Sequence, residues 1–314
     1  FCHCCILYNN NFRLPCTDKI SRIQEAIAKN GASAIILSAL DEIAWTLNLR
    51  GDDVHCNPVF ISYLLISKEG HTLYILEEKV TEEVRSYLKE HQVEIEDYKS
   101  FSKKLKDFSQ KDEELLQISP QANIALYTLA SECTDVIVAP SPVALMKAHK
   151  NPTEIAGFHK AMERDGVAMV KFLRWIKEAV KSGKETELSV DEKLYQLRAE
   201  QENFKGISFD TIAGYKEHAA IVHYEATSET SATLQPEGML LLDSGAQYLD
   251  GTTDITRTIV LGPLTEEEKK LRQEEGAVAD FLCNYFQGQG LTFKRFKNNI
   301  ILHKSSKDKK SGGT

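Results

Sequence analysis

This chain of 314 residues has no excess of basic side chains to offer a polyanion: 46 acidic residues outnumber 38 basic ones, for a net charge of −8. Phosphate binding needs clustered Lys and Arg, so nucleic acid is excluded as the principal partner. Nor is there any apolar run near the ~18 residues that cross a bilayer, and no membrane partner is expected. No secretory leader is expected from these residues either. The first residues carry no basic segment, and Asn9-Asn10-Asn11 interrupts the apolar stretch. Cysteine is present without order: Cys2, Cys4, Cys5, Cys16, Cys56, Cys133 and Cys283 make an odd, uneven set. That argues against a disulfide framework and for a reducing compartment. These absences together predict a cytoplasmic protein whose partners are small molecules, peptides or other proteins. The chain opens on Phe1 rather than Met, which reads as a fragment.

What is present is ordinary globular material, 42% apolar and 27% charged, long enough for about two domains. Residues 1–16 (FCHCCILYNNNFRLPC) differ in character from the rest of the chain. Their Cys-x-Cys-Cys cluster with His3 could take a soft metal. No second Cys/His pair lies at zinc-finger spacing, so an aberrant or disordered terminus is the preferred reading.

Residues 17–148 read as one α/β unit. Thr17 can cap a helix carrying Ile20, Ile23, Ala26 and Ile27 at helical spacing. Ala34 to Leu37 reads as a buried strand, and Asp41 to Leu47 as a short helix with Trp45 inward. The runs Val59 to Ile66 and His71 to Leu76 flank Lys68-Glu69-Gly70 as a hairpin. A helix at Thr81 to His91 and strands at Val93 to Tyr98, Ala122 to Tyr127 and Asp135 to Val138 complete a mixed sheet with helices against it.

Pro140-Ser141-Pro142 and Lys150-Asn151-Pro152 bracket a boundary. Residues 149–268 then open with a long helix, capped by Thr153 and stopping at Ser182-Gly183. A second helix, Glu187 to Glu200, has Ser189 as its cap. The remainder reads as strands at Phe209 to Ala213, Ala220 to His223, Met239 to Ser244 and Thr253 to Val260. Residues 269–314 are a divergent tail, strongly basic from Lys294 to Lys310, and read as solvated and unordered.

Chemistry concentrates in Met239 to Thr258. An apolar strand ends in Asp243, a Gly-containing loop comes next, and a Thr-rich strand carries Asp254, eleven residues on. If the loop is Gln247 to Asp250, the two carboxylates face each other with Cβ atoms about 5 Å apart. A tight turn at Asp250-Gly251 would instead offset them by four residues, about 13 Å. Opposed carboxylates repel unless a cation lies between them or one is protonated. Hard oxygen donors favour Mn²⁺ or Mg²⁺. The alternative is a polar strand end and an ordinary loop acceptor. His223, ending Ala220-Ile221-Val222-His223, could donate to an anionic intermediate, or it could be a strand-end histidine satisfied by backbone.

The run DSGAQYLDGTTDITRT resembles the segment carrying the first two metal ligands in aminopeptidase P, a family of pita-bread metallopeptidases that remove the residue before proline. Asn151 to Val180 resembles the opening helix of that catalytic domain. Ala39 to Tyr63 (ALDEIAWTLNLRGDDVHCNPVFISY) resembles the middle domain of its three-domain cytosolic form. The resemblance covers about Thr17 to Glu268. It implies a creatinase-like α/β domain followed by a partial pita-bread domain, α/β (α+β) in class, and a homodimer. It implies two Mn²⁺ ions held by two aspartates, a histidine and two glutamates. Asp243 and Asp254 take the aspartate positions, Asp254 as the bridge, and His223 takes that of the histidine assisting at the substrate carbonyl. The implied reaction is attack of a metal-bridging hydroxide on the carbonyl before proline in proline-containing peptides.

Beyond Glu268 the family's Gly-His-Gly, Glu-Pro-Gly and Ile-Glu-Asn stretches, which carry the other three ligands, have no counterpart, and the family's first domain has none either. The expectation is therefore an Xaa-Pro aminopeptidase by descent that is inactive as this chain. Its uncovered strands, Met239 to Leu242 among them, should expose apolar surface and favour poor solubility or oligomers. A non-catalytic protein-binding remnant and a prolidase- or creatinase-like hydrolase are the alternatives.

Overall fold

The computed structural model describes residues 14–108 and 115–270, together with the backbone of strands at 5–6, 291–296 and 299–304. In chain order the first half contains β1 (Cys5–Ile6), α1 (Cys16–Lys29), β2 (Ala34–Leu37), α2 (Leu40–Leu47), β3 (Leu49–Arg50), β4 (Ser62–Ser67) and β5 (His71–Ile75). It continues with α3 (Glu82–Glu90), β6 (Val93–Asp97), α4 (Phe101–Phe108), β7 (Leu116–Ile118), α5 (Ile124–Cys133), β8 (Val136–Val138) and α6 (Pro142–Ala148). Six of these strands form one mixed sheet in the order β6-β5-β4-β2-β7-β8. The β4–β5 hairpin pairs Ile66 with His71. Its loop is held by the Ser67 hydroxyl, which donates to the Gly70 carbonyl at 3.0 Å. On α1, Ile20, Ile23 and Ile27 recur on one face and are all buried, against Leu37, Leu64, Ile66 and Leu73 of the sheet.

Three local expectations change here. Ala122 to Tyr127 is not a strand: Asn123 caps α5, its side chain accepting from the Leu126 amide at 2.9 Å. The place beside β2 belongs instead to Leu116-Gln117-Ile118, all three buried. A short apolar run fits strand or helix equally well, and the Asn cap tips it to helix. Helix α1 starts at Cys16, with Pro15 rather than Thr17 at its N-cap. The backbone of Leu291–Phe296 and Asn299–Lys304 pairs as an antiparallel hairpin, β15 and β16, where an unordered tail was expected.

The second half opens with α7 (Pro152–Ala179) and α8 (Glu187–Ala199). Asn151, not Thr153, caps α7: its side chain accepts from the Glu154 amide at 2.9 Å while the Glu154 carboxylate accepts from the Asn151 amide at 2.9 Å. Thr186 caps α8, and Ser189 is its reciprocal partner rather than the cap. Gly183, at φ 65°, stops the short 3₁₀ turn at the end of α7. One face of each helix covers a sheet in the order β10 (Ile212–Tyr215), β11 (Met239–Ser244), β14 (Ile255–Val260). Leu240 and Leu242 are fully buried there against Met169, Phe172, Ile176 and Leu194. The expectation that Met239 to Leu242 lies bare is thus overturned for the face toward the helices, because α7 and α8 pack on it, and β11, the central strand, has no open edge. A smaller sheet joins β9 (Phe204–Ile207), β12 (Ala246–Tyr248) and β13 (Gly251–Thr252).

The halves touch through specific polar contacts. Trp45 donates its indole N–H to Glu154 Oε1 at 3.0 Å. The Gln247 side chain donates to the Cys56 carbonyl at 3.1 Å. Among the described residues no helix is long and apolar enough to cross a membrane.

Candidate metal-ligand hairpin

Strand β11 alternates Leu240, Leu242 and Ser244 inward with Met239, Leu241 and Asp243 outward. Its partner β14 runs antiparallel, so directly opposed residues share a face. Asp243 lies opposite Thr256, not opposite Asp254. The Thr256 hydroxyl donates to Asp243 Oδ1 at 2.8 Å, leaving the other carboxylate oxygen free of it. Asp254 precedes Thr256 by two residues and so shares its outward face. Asp243 is half-buried and Asp254 exposed.

The carboxylates are therefore diagonal neighbours, about 7 Å apart between backbones rather than directly opposed. The cause is the turn. Tyr248 pairs with Gly251, so the chain reverses at Leu249-Asp250, one position before the Asp250-Gly251 turn and without the four-residue loop.

The crossover beside Asp243 is fixed by close packing. A Cβ on Gly245 would press onto the Ser208 hydroxyl and the Thr253 carbonyl oxygen, so only glycine passes there. The Thr253 hydroxyl accepts from the Ala246 amide at 3.0 Å, and the Ser208 hydroxyl donates to the Thr253 carbonyl at 2.9 Å. Behind this crossover Arg198 and Asp165, both 0% exposed, form a two-pronged ion pair at 2.8 and 3.0 Å. Arg198 also donates to the Gly245 carbonyl at 3.3 Å, and the Tyr248 hydroxyl donates to Asp165 at 3.0 Å. Burial and the neighbouring Asp165 carboxylate push the Tyr248 phenol well above its ordinary value. The pair thus ties α7 and α8 to Gly245 and Tyr248, two and five residues after Asp243.

His223 does not end a strand. Lys216–Ala220 is a 3₁₀ turn, and His223 comes next in a tight turn at φ 56°, with its ring exposed. The reason is Glu187. This fully buried carboxylate at the start of α8 accepts from the Tyr215 amide at 2.7 Å, the Tyr224 hydroxyl at 2.8 Å and the Ala232 amide at 2.9 Å. It also meets His218 Nδ1 at 2.9 and 3.1 Å. These contacts fold residues 216–232 back over the helix. Burial, reinforced by the Glu187 carboxylate, raises the Tyr224 phenol. Sequence reading misses Glu187 because an acidic residue in the first turn of a helix is ordinary. Nothing local marks Asp165 or Arg198 either, since each looks like a solvent-facing charge.

The structure thus brings Asp243 and Asp254 onto one face. Among the described residues it does not gather them with His223, or with any third His, Cys, Asp or Glu, into a cluster whose donor atoms lie mutually within 4.8 Å.

Comparison with known proteins completes this picture. Residues 12–154 match the creatinase/prolidase N-terminal domain, and residues 156–276 match metallopeptidase family M24. The chain thus carries a segment that matches an M24 domain behind one that matches a creatinase/prolidase N-terminal domain. Xaa-Pro aminopeptidase 1 of Dictyostelium discoideum is 42% identical over 288 residues, 90% of this chain and 44% of that protein. The cytosolic X-prolyl aminopeptidase of Caenorhabditis elegans, an enzyme with a di-nuclear active site, superposes with a TM-score of 0.80 at 30% identity, covering 85% of this chain and 45% of that one. An Xaa-Pro dipeptidase from Bacillus anthracis shares the fold, with a TM-score of 0.65 at 21% identity over 81% of this chain and 68% of its own. The chain spans less than half the length of the curated relatives it matches.

Proposed function

We propose that this chain carries part of a metal-dependent Xaa-Pro aminopeptidase. Asp243 and Asp254 serve as carboxylate donors to two hard divalent cations, with Mn²⁺ the expected ion, and His223 meets the substrate carbonyl. The observation that carries the reading is the shared outward face of Asp243 and Asp254. Two carboxylates on a diagonal suit a pair of ions better than a single one, since paired ions sit about 3.5–4 Å apart. Oxygen donors also suit Mn²⁺. When bound, such ions supply Lewis-acid polarisation of the carbonyl and activation of water.

The chain's own residues do the rest. Thr256 orients Asp243, and Gly245 with the Arg198–Asp165 pair fixes the crossover between the two carboxylates. Glu187 sets the turn that presents His223 beside exposed Ile221 and Val222, apolar neighbours that suit an uncharged peptide side chain. A cytosolic location, a homodimer and the division into residues 17–148 and 149–268 belong to the same reading.

Two carboxylates are a thin donor set among the described residues, so Mn²⁺ should bind weakly to the chain alone and turnover should be absent. The test has two parts. Mn²⁺ binding followed by electron paramagnetic resonance should weaken on Asp243→Ala and on Asp254→Ala; unchanged affinity in both would sink the reading. Mn²⁺-dependent release of the first residue from an Xaa-Pro-Xaa tripeptide, lost on Asp254→Ala, would mean that further donors come from elsewhere, such as a second copy. Preference for an Xaa-Pro dipeptide would move the assignment to prolidase.

A further inference from the structure

A cluster of metal-ligating side chains that includes neither Asp243 nor Asp254 lies beside their hairpin. His55 and Cys56 sit in the loop after β3, in the first half, and Asp210 sits between β9 and β10, in the second. One donor atom from each lies within 4.8 Å of the other two. His55 Nε2 is 2.7 Å from Asp210 Oδ1.

An exposed histidine–carboxylate contact would by itself be an ordinary surface pair. Two further observations separate this one. Cys56 is held at φ 59°, in the left-handed region that non-glycine residues avoid. Its carbonyl is clamped by the Gln247 side chain at 3.1 Å. The thiol's neighbourhood is therefore imposed by a contact between the halves.

We propose that His55, Cys56 and Asp210 form a three-donor site for a borderline divalent transition-metal ion, Zn²⁺ by chemistry, that staples the two halves beside the Asp243 hairpin. Mixed nitrogen, sulfur and oxygen donors select such an ion over Mg²⁺ or Ca²⁺. Three protein donors leave a fourth tetrahedral position for water. With bonds of about 2.0–2.1 Å, the nitrogen and oxygen donors must stand about 3.3 Å apart, so the 2.7 Å contact opens slightly as the ion replaces the proton between them. Both side chains are free to do this, at 74% and 59% exposure.

Co²⁺ serves as the visible substitute. The full chain is prepared with Cys2, Cys4 and Cys5 changed to serine, which removes the competing thiols near the start. Titration with Co²⁺ should raise a thiolate-to-cobalt charge-transfer band that saturates at one ion per chain and disappears when Zn²⁺ is added. Cys56→Ser should abolish the band. His55→Ala and Asp210→Asn, both at exposed positions that the fold tolerates, should each weaken apparent affinity roughly tenfold or more. The double variant Asp243→Ala with Asp254→Ala should keep the band, whatever becomes of the proposed peptidase site. No band in the parent, a band surviving Cys56→Ser, affinities unmoved by the His55 and Asp210 changes, or loss in the Asp243/Asp254 variant would each overturn the proposal.

Discussion

The two halves of this chain solve the same packing problem with different chemistry. The centre of the first half is apolar: Leu37, Leu64, Ile66 and Leu73 of the sheet close on Ile20, Ile23 and Ile27 of α1. The second half has an apolar layer too, but sets Asp165, Arg198 and Glu187 inside it at 0% exposure. Apolar burial is non-directional. It holds a helix on a sheet without saying where the next loop points. A buried carboxylate accepting several hydrogen bonds fixes direction, because each unmet donor would be costly. The first half uses the device as well, at Lys19 and Gln117, but among the described residues only the second half, which carries the candidate metal ligands, sets charged side chains at 0% exposure.

The contrast can be broken most severely at Arg198. Arg198→Met leaves Asp165 buried without its partner and should cost roughly 3–5 kcal/mol. Asp165→Leu added to Arg198→Met should recover most of that loss. Denaturant unfolding of the single and double variants measures both, and an additive pair would remove the ion pair from the account.

In the first half, Leu73→Ala empties a fully buried position on β5 and should cost about 2–5 kcal/mol. Amide exchange should rise across β4 and β5 while protection of Tyr215 and Ala232, the amides bound to Glu187, stays put. Loss of protection in both halves together would mean that they unfold as one unit.

Glu187→Gln is subtler. It keeps size and shape but turns one acceptor oxygen into a donor among groups that already donate. It should cost about 1–3 kcal/mol and speed exchange at the Tyr215 and Ala232 amides. Unchanged exchange there would deny Glu187 its hold on the His223 loop.

The smallest effect concerns pH. Burial lowers the His71 imidazole from its ordinary 6.5, and its Nδ1 is buried without a partner. The unfolded chain binds the proton more readily than the fold does. Stability from this group is therefore present above about 6.5 and is lost as pH falls through the lower folded value. His71→Phe should flatten that slope in unfolding measured from neutral to mildly acid pH.

Much of this was legible locally. Capping and periodicity are short-range, so the sequence by itself determined the hairpin around Gly70, the long helix ending before Gly183, and two strands with an aspartate at the close of one and the approach to the other. Helix or strand at Ala122 to Tyr127 was not determined, because six apolar and polar residues fit both until Asn123 caps the run. The register of β11 on β14 was only half determined. A slip of one residue would turn every apolar side chain to the wrong face, so the alternating pattern forbids it. A slip of two keeps every face, and the pattern is blind to it. The turn at Leu249-Asp250 and the close packing at Gly245 made that choice, and with it the diagonal placement of Asp243 and Asp254. The turn at His223, the Glu187 hub and the meeting of His55 with Asp210 join residues far apart in the chain. Only the tertiary structure decided them, because no local energy rewards such contacts until the second half has folded for the Glu187 hub, and until the two halves have met for His55 and Asp210.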